Sequence, residues 1–132
     1  MRLISFSMTL DSFADGSKDI TRRFWKKAWV KPGDRMMAVE KAQGLGKGGH
    51  IKTLGQIRIK RISPECLDEI IRLPSRAYND EEAFTSRQET EREGFPAFTP
   101  EQFVEMFCKI HKCKSTATVY RIEFEHIKEG TA

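Results

Sequence analysis

The sequence predicts an α+β fold of barrel-like type, and three observations carry that prediction. Segments with the two-residue apolar alternation of half-buried strands are spread from one end of the chain to the other. Segments with helical spacing are interposed between them. No repeat and no linker divides the 132 residues, so a single domain over 1–132 with one core is expected.

Residues 2–10 set Ile4, Phe6 and Met8 against Leu3, Ser5, Ser7 and Thr9, the pattern of a first strand. Asp11 to Ser17 carries the Asp, Ser and Gly of a turn. Lys18 and Thr21 stand three apart and would share a face of a single helical turn. Lys31-Pro32-Gly33-Asp34 is a tight-turn signal, and Arg35 to Lys41 follows as a second strand. Gln43 to His50 holds four of the nine glycines. Such a loop can bring backbone N–H groups to a phosphate, with Lys47 beside them, but it lacks the ending of a P-loop and also suits a plain hairpin connection.

Leu54 to Ile62 alternates as a third strand with a basic polar face. Ser63-Pro64-Glu65 has the form of an N-cap with Pro at the first helical position, leading to the stripe Leu67, Ile70 and Ile71. Tyr78 to Glu93 is compatible with a mostly polar helix that Gly94 stops. Thr99-Pro100-Glu101-Gln102 is a capping box, and Phe103, Met106, Phe107 and Ile110 recur at helical spacing, with the aromatics assigned to the core. Thr116 to Ile127 alternates as the last strand, Thr118, Tyr120, Ile122 and Phe124 opposing Arg121, Glu123 and Glu125.

Composition narrows the function classes. Hydrophobic content of 39% and charged content of 32% describe a water-soluble globular chain, and no apolar run is long enough for a membrane helix. The opening residues read as a strand, without a leader's cleavage site. Three cysteines, Cys66, Cys108 and Cys113, suit no disulfide framework and point to the cytoplasm. Cys108, His111 and Cys113 are soft ligands close together, but their spacing matches no common zinc motif, so neither metal nor cofactor is expected.

The net charge of +4 is concentrated between Gly16 and Arg35. There Lys18, Arg22, Arg23, Lys26, Lys27, Lys31 and Arg35 surround Phe24, Trp25 and Trp29. Cations bind phosphates and indoles stack on bases, so RNA or single-stranded nucleic acid is the partner this stretch suits. Packing of either Trp into the core is the alternative.

Within that stretch the order Gly16-x-Lys18-x-x-Thr21-x-Arg23 follows Ser5-Phe6 and precedes Pro32-Gly33-Asp34 and, much later, Glu93-Gly94-Phe95. The series resembles the signature of the ASCH domain family over residues 2–127. The resemblance implies a PUA-like (ASCH) mixed β-barrel with flanking helices. It also implies two functions. One is an RNA- or nucleotide-binding cleft around the motif, with Arg22, Arg23, Trp25, Lys26, Lys27, Trp29 and Lys47 as contacts. The other is a hydrolase, either a ribonuclease or an amidohydrolase acting on a modified nucleoside of N4-acetylcytidine type. In the amidohydrolase Lys18 is the base, Thr21 the nucleophile and Glu93, or alternatively Glu91, the acid, while Arg23 holds the substrate or its oxyanion.

Overall fold

The computed structural model describes residues 2–6, 8–41, 52–72 and 86–127. Five strands form one mixed sheet in the order β1-β3-β4-β5-β2, strongly curled into a half-barrel and accompanied by a few helices. The strands are β1 (Arg2–Ser5), β2 (Ile20–Arg23), β3 (Arg35–Val39), β4 (Thr53–Cys66) and β5 (Thr118–Ile127). Helix α1 spans Leu10–Ala14, α2 Ser86–Arg92 and α3 Pro100–His111, with a 3₁₀ turn at Leu67–Arg72.

The long antiparallel β4–β5 ladder is the spine, and it runs from Gln56 opposite Ile127 to Cys66 opposite Thr118. Alternation buries Ile57 and Ile59 of β4, Ile122 and Phe124 of β5, and Met36 and Ala38 of β3. These side chains meet Ile4, Phe6 and Phe13 in one apolar cluster. A second cluster joins Phe103, Val104 and Phe107 of α3 to Leu67, Ile70 and Val119. Helix α3 begins as its capping box requires: the Thr99 hydroxyl accepts from Gln102 N at 3.1 Å, and the Gln102 side chain accepts from Thr99 N at 2.9 Å.

Four local expectations are corrected. The first strand stops at Ser5, and α1 begins at Leu10, burying Phe13. Ile20–Arg23 is a strand, so Lys18 and Thr21 do not share a helical turn. Pro64 does not open a helix; β4 continues through it opposite Tyr120. That is tolerable because β3 pairs with β4 only as far as Arg58, leaving β4 an edge on that side at Pro64. In β5, Val119 is buried where Tyr120 was expected, and Glu123 is buried too. The register shift between Ile59 and Arg61 is where the ladder departs from simple alternation. The glycine loop with Lys47, and residues 78–85, lie outside the described residues.

Strands β1 and β2 are the two edges of the sheet. Curling brings them together, and Arg23 Nη2 at the end of β2 donates to Ser5 O at the end of β1 over 2.7 Å. A side chain, in place of a ladder, spans the seam.

Candidate functional site

A cleft of about 210 Å³ opens at that seam. Its polar floor is Lys18, Thr21, Arg23 and Glu93, and its walls include Phe6, Phe95, Phe103 and Phe107. A larger hollow of about 580 Å³ beside Trp29 is lined by no buried polar side chain. The cleft is the candidate because it presents charge in a place where charge is costly.

Each floor residue is placed by its backbone. On β2, Thr21 and Arg23 share one face, and Arg22 takes the other. Arg23 is fixed twice: Nε donates to Thr21 Oγ1 at 3.0 Å, and Nη2 to Ser5 O. Lys18 Nζ donates to Ile20 O at 2.8 Å and to the Glu93 carbonyl, and it lies 3.6 Å from Glu93 Oε1. Both cations lie over the Phe6 ring, Lys18 at 5.4 Å and Arg23 at 5.1 Å from its centroid.

Glu93 enters the cleft because α2 ends there. Gly94 has φ of +96°, and a Cβ on it would fall 2.8 Å from Thr9 Cγ2 and 3.2 Å from Lys18 Cδ. Only glycine suits that turn and that approach. Glu93 is thereby buried, whereas Glu91 is exposed. The Glu-Gly-Phe triplet thus has a steric reason.

Burial lowers the Lys18 pKa from 10.5 to about 8; the Glu93 carboxylate opposes this and Arg23 adds to it. Burial likewise brings Arg23 down to about 10, still a cation at neutral pH. His111 on the cleft wall is lowered by burial and then by Arg23, which favours a neutral imidazole. The floor therefore offers a fixed guanidinium, a hydroxyl, a carboxylate and an amine that can give up its proton near physiological pH.

Arg22 was expected on a nucleic-acid surface but is buried with three carboxylates. Nε donates to Glu65 at 2.7 Å, Nη1 to Glu93 Oε2 at 2.9 Å and Nη2 to Glu89 at 2.6 Å. Burial alone would lower its pKa; Glu93, Glu65 and Glu89 outweigh that and raise it. Each of its three nitrogens is bonded to a carboxylate and the side chain is buried, so it does not face a phosphate at the surface. Arg121 also bonds Glu89, and these hydrogen bonds and charges, outweighing burial, hold Glu89 at about 2. The sequence does not reveal this network because its acids come from β4 and from α2 with its end, both distant from Arg22 along the chain.

The other expected contacts divide. Lys26 and Lys27 are exposed. Trp25 and Trp29 are half-buried, packed against the core and against each other with centroids 4.8 Å apart. They stand outside the Phe-walled cleft, in a neighbouring chamber that also includes Arg23. Among the described residues no group of three or more His, Cys, Asp or Glu has the arrangement of a metal site, and Cys66, Cys108 and Cys113 are free thiols.

No family model and no curated protein matches the chain. Two solved structures share its fold. Protein EF3133 from Enterococcus faecalis V583, described under the family DUF984, superposes with a TM-score of 0.60 at 11% identity, over 99% of this chain and 82% of that one. The hypothetical protein PH0355 superposes with a TM-score of 0.56 at 17% identity, over 96% of each chain. At such identities the likeness concerns the path of the backbone, a small curled mixed sheet with few helices, and transfers no residue's role.

Proposed function

We propose that the chain is a PUA-like domain of ASCH type whose cleft binds the base and sugar of a nucleotide, free or within RNA. The supporting observation is the cleft itself: a polar floor of Lys18, Thr21, Arg23 and Glu93 beneath phenylalanine walls. A flat heteroaromatic ring suits the walls, while its carbonyl and amine edges suit the floor. The cavity is small, which favours one nucleoside unit over a stack of bases. Lys26 and Lys27, exposed nearby in sequence, suit phosphates outside it.

A second reading is a hydrolase acting on an acylated nucleoside. The observation favouring it is the Lys18 pKa of about 8. A neutral Lys18 that donates its two N–H groups to Ile20 O and Glu93 O keeps its lone pair for the Thr21 proton. The Thr21 oxygen would attack the acyl carbonyl as Lys18 takes its proton, and the amide C–N bond would break as that proton passes from Lys18 through the adjacent Glu93 carboxylate to the departing amine. Water would then release the acid from Thr21. Arg23, already bonded to Thr21 Oγ1, would face the developing oxyanion.

Calorimetric titration with cytidine, adenosine and their monophosphates tests the binding reading, and absence of heat from all of them would refute it. Chromatographic assay of N4-acetylcytidine tests the second. The expected outcome of the second is cytidine release that rises with pH to a plateau above about 8 and vanishes in Thr21→Ala and in Lys18→Met. Unchanged turnover in Thr21→Ala would exclude Thr21 as nucleophile.

A further inference from the structure

The cleft shares a wall with a second chamber of about 360 Å³, and Ser5 and Arg23 line both. The second chamber also holds Trp25, Trp29 and Lys41, with no carboxylate in its lining. Both tryptophans of the chain are therefore in one place. Arg2 lies over the Trp29 ring at 5.1 Å, so the indole left to a ligand is chiefly that of Trp25. Arg23 stands at the partition. Its Nε and Nη2 are committed to Thr21 and Ser5, and among the described residues its Nη1 makes no hydrogen bond.

A fixed guanidinium with one nitrogen to spare, between an apolar cleft and a basic aromatic chamber, matches a phosphodiester between two bases. Resting on the nucleotide-binding reading of the cleft, we infer that the ligand is a single strand of at least two nucleotides. One base occupies the cleft, the phosphate meets Arg23 Nη1, and the next base lies on Trp25 with Lys41 beside its backbone. The free nucleoside is an incomplete ligand. Exposed Lys26 and Lys27 follow Trp25 in sequence and offer a continuation for a longer strand.

The two chambers report separately, because the Phe-walled cleft contains no tryptophan. Binding of cytidine, CMP and the dinucleotide CpC, with the adenosine series in parallel, is to be followed by calorimetry and by intrinsic tryptophan emission. The expected result is affinity rising from nucleoside to nucleotide to dinucleotide, with Trp emission quenched by the dinucleotide alone. Trp25→Ala should weaken CpC by about 5- to 150-fold, the measured worth of one stacked base, and leave cytidine within about twofold. Lys41 is exposed, so Lys41→Ala removes its charge without touching the core and keeps the test decisive should Trp25→Ala fail to fold.

Equal affinity for cytidine and CpC, or CpC binding indifferent to Lys41→Ala with unaltered Trp emission, would overturn the second subsite and leave the cleft proposal standing. No binding of any member would overturn both. A poly-glutamate peptide that competes at the same Lys41-dependent chamber, with no preference for the dinucleotide, would also overturn it in favour of an acidic protein partner.

Discussion

Replacing Arg22 by methionine separates the buried charge network from simple packing. The guanidinium is buried and bonds Glu65, Glu89 and Glu93, so its loss leaves three carboxylates in the interior without their shared cation. Breaking a buried ion pair from one side costs about 3–5 kcal/mol. An independent route gives the same order. Glu89 is held at about 2 against an ordinary 4.5, and at 1.36 kcal/mol per unit that is about 3 kcal/mol, drawn from Arg121 and Arg22 together. Against a typical domain stability of about 5–15 kcal/mol, the variant should be folded but fragile.

The pH dependence carries the sign. In the wild type Glu89 has a depressed folded pKa, so its contribution is complete above about 4.5 and is lost as pH falls through about 2. In Arg22→Met the three buried carboxylates lose their common cation, although Arg121 still bonds Glu89 and Lys18 still faces Glu93, so their ionised forms are less favoured than in the wild type and the deficit of the variant grows as pH rises. Urea unfolding at pH 5 and pH 7 should therefore show a gap between the two proteins that widens toward pH 7, reaching roughly 2 M in midpoint for a slope near 2 kcal/mol per M. Arg22→Lys, with a point charge in place of a fork, should fall between them. A penalty below about 1 kcal/mol that is equal at both pH values would refute the claim that these carboxylates depend on Arg22.

Two further substitutions test the scaffold of the site. Gly94→Ala places a methyl group against Thr9 and Lys18 at positive φ; it should cost about 2 kcal/mol or more by thermal melt and weaken any cleft ligand, and unchanged melting would mean the turn is not tight. Thr99→Ala removes one half of the capping box and should cost about 1 kcal/mol by urea titration while leaving ligand binding alone, since Thr99 does not line the cleft.

What could be read in advance follows from the range of the forces involved. Helix α3 is specified locally, by Thr99 bonding Gln102 and by an apolar stripe, and it formed as expected. Ile57 and Ile59 of β4 and Ile122 and Phe124 of β5 followed alternation, whereas Val119 and Glu123 did not. Strand β2 did not: Ile20 to Arg23 is short and half charged, and its burial is imposed by α2 and the sheet curl from outside. Arg22 looked like a surface cation because its acids lie 43 to 71 residues away. Ser63-Pro64 carries a true helix-start pattern that a partner strand overrode. In the cleft, Lys18, Thr21, Arg23 and Glu93 were named from the motif, while Phe6, Phe103 and Phe107 had looked like interior packing alone. A side chain can serve the core on one side and a ligand on the other, and periodicity does not distinguish the two.

The link between Arg23 and Ser5 makes the molecule a clasp with a rivet at that point. Anything seated astride that rivet grips both free borders of the sheet at once, and so tightens the whole curl. Occupancy should therefore register far from the contact itself, as slower amide exchange along both Arg2–Ser5 and Ile20–Arg23, and empty molecules should begin to open along that line.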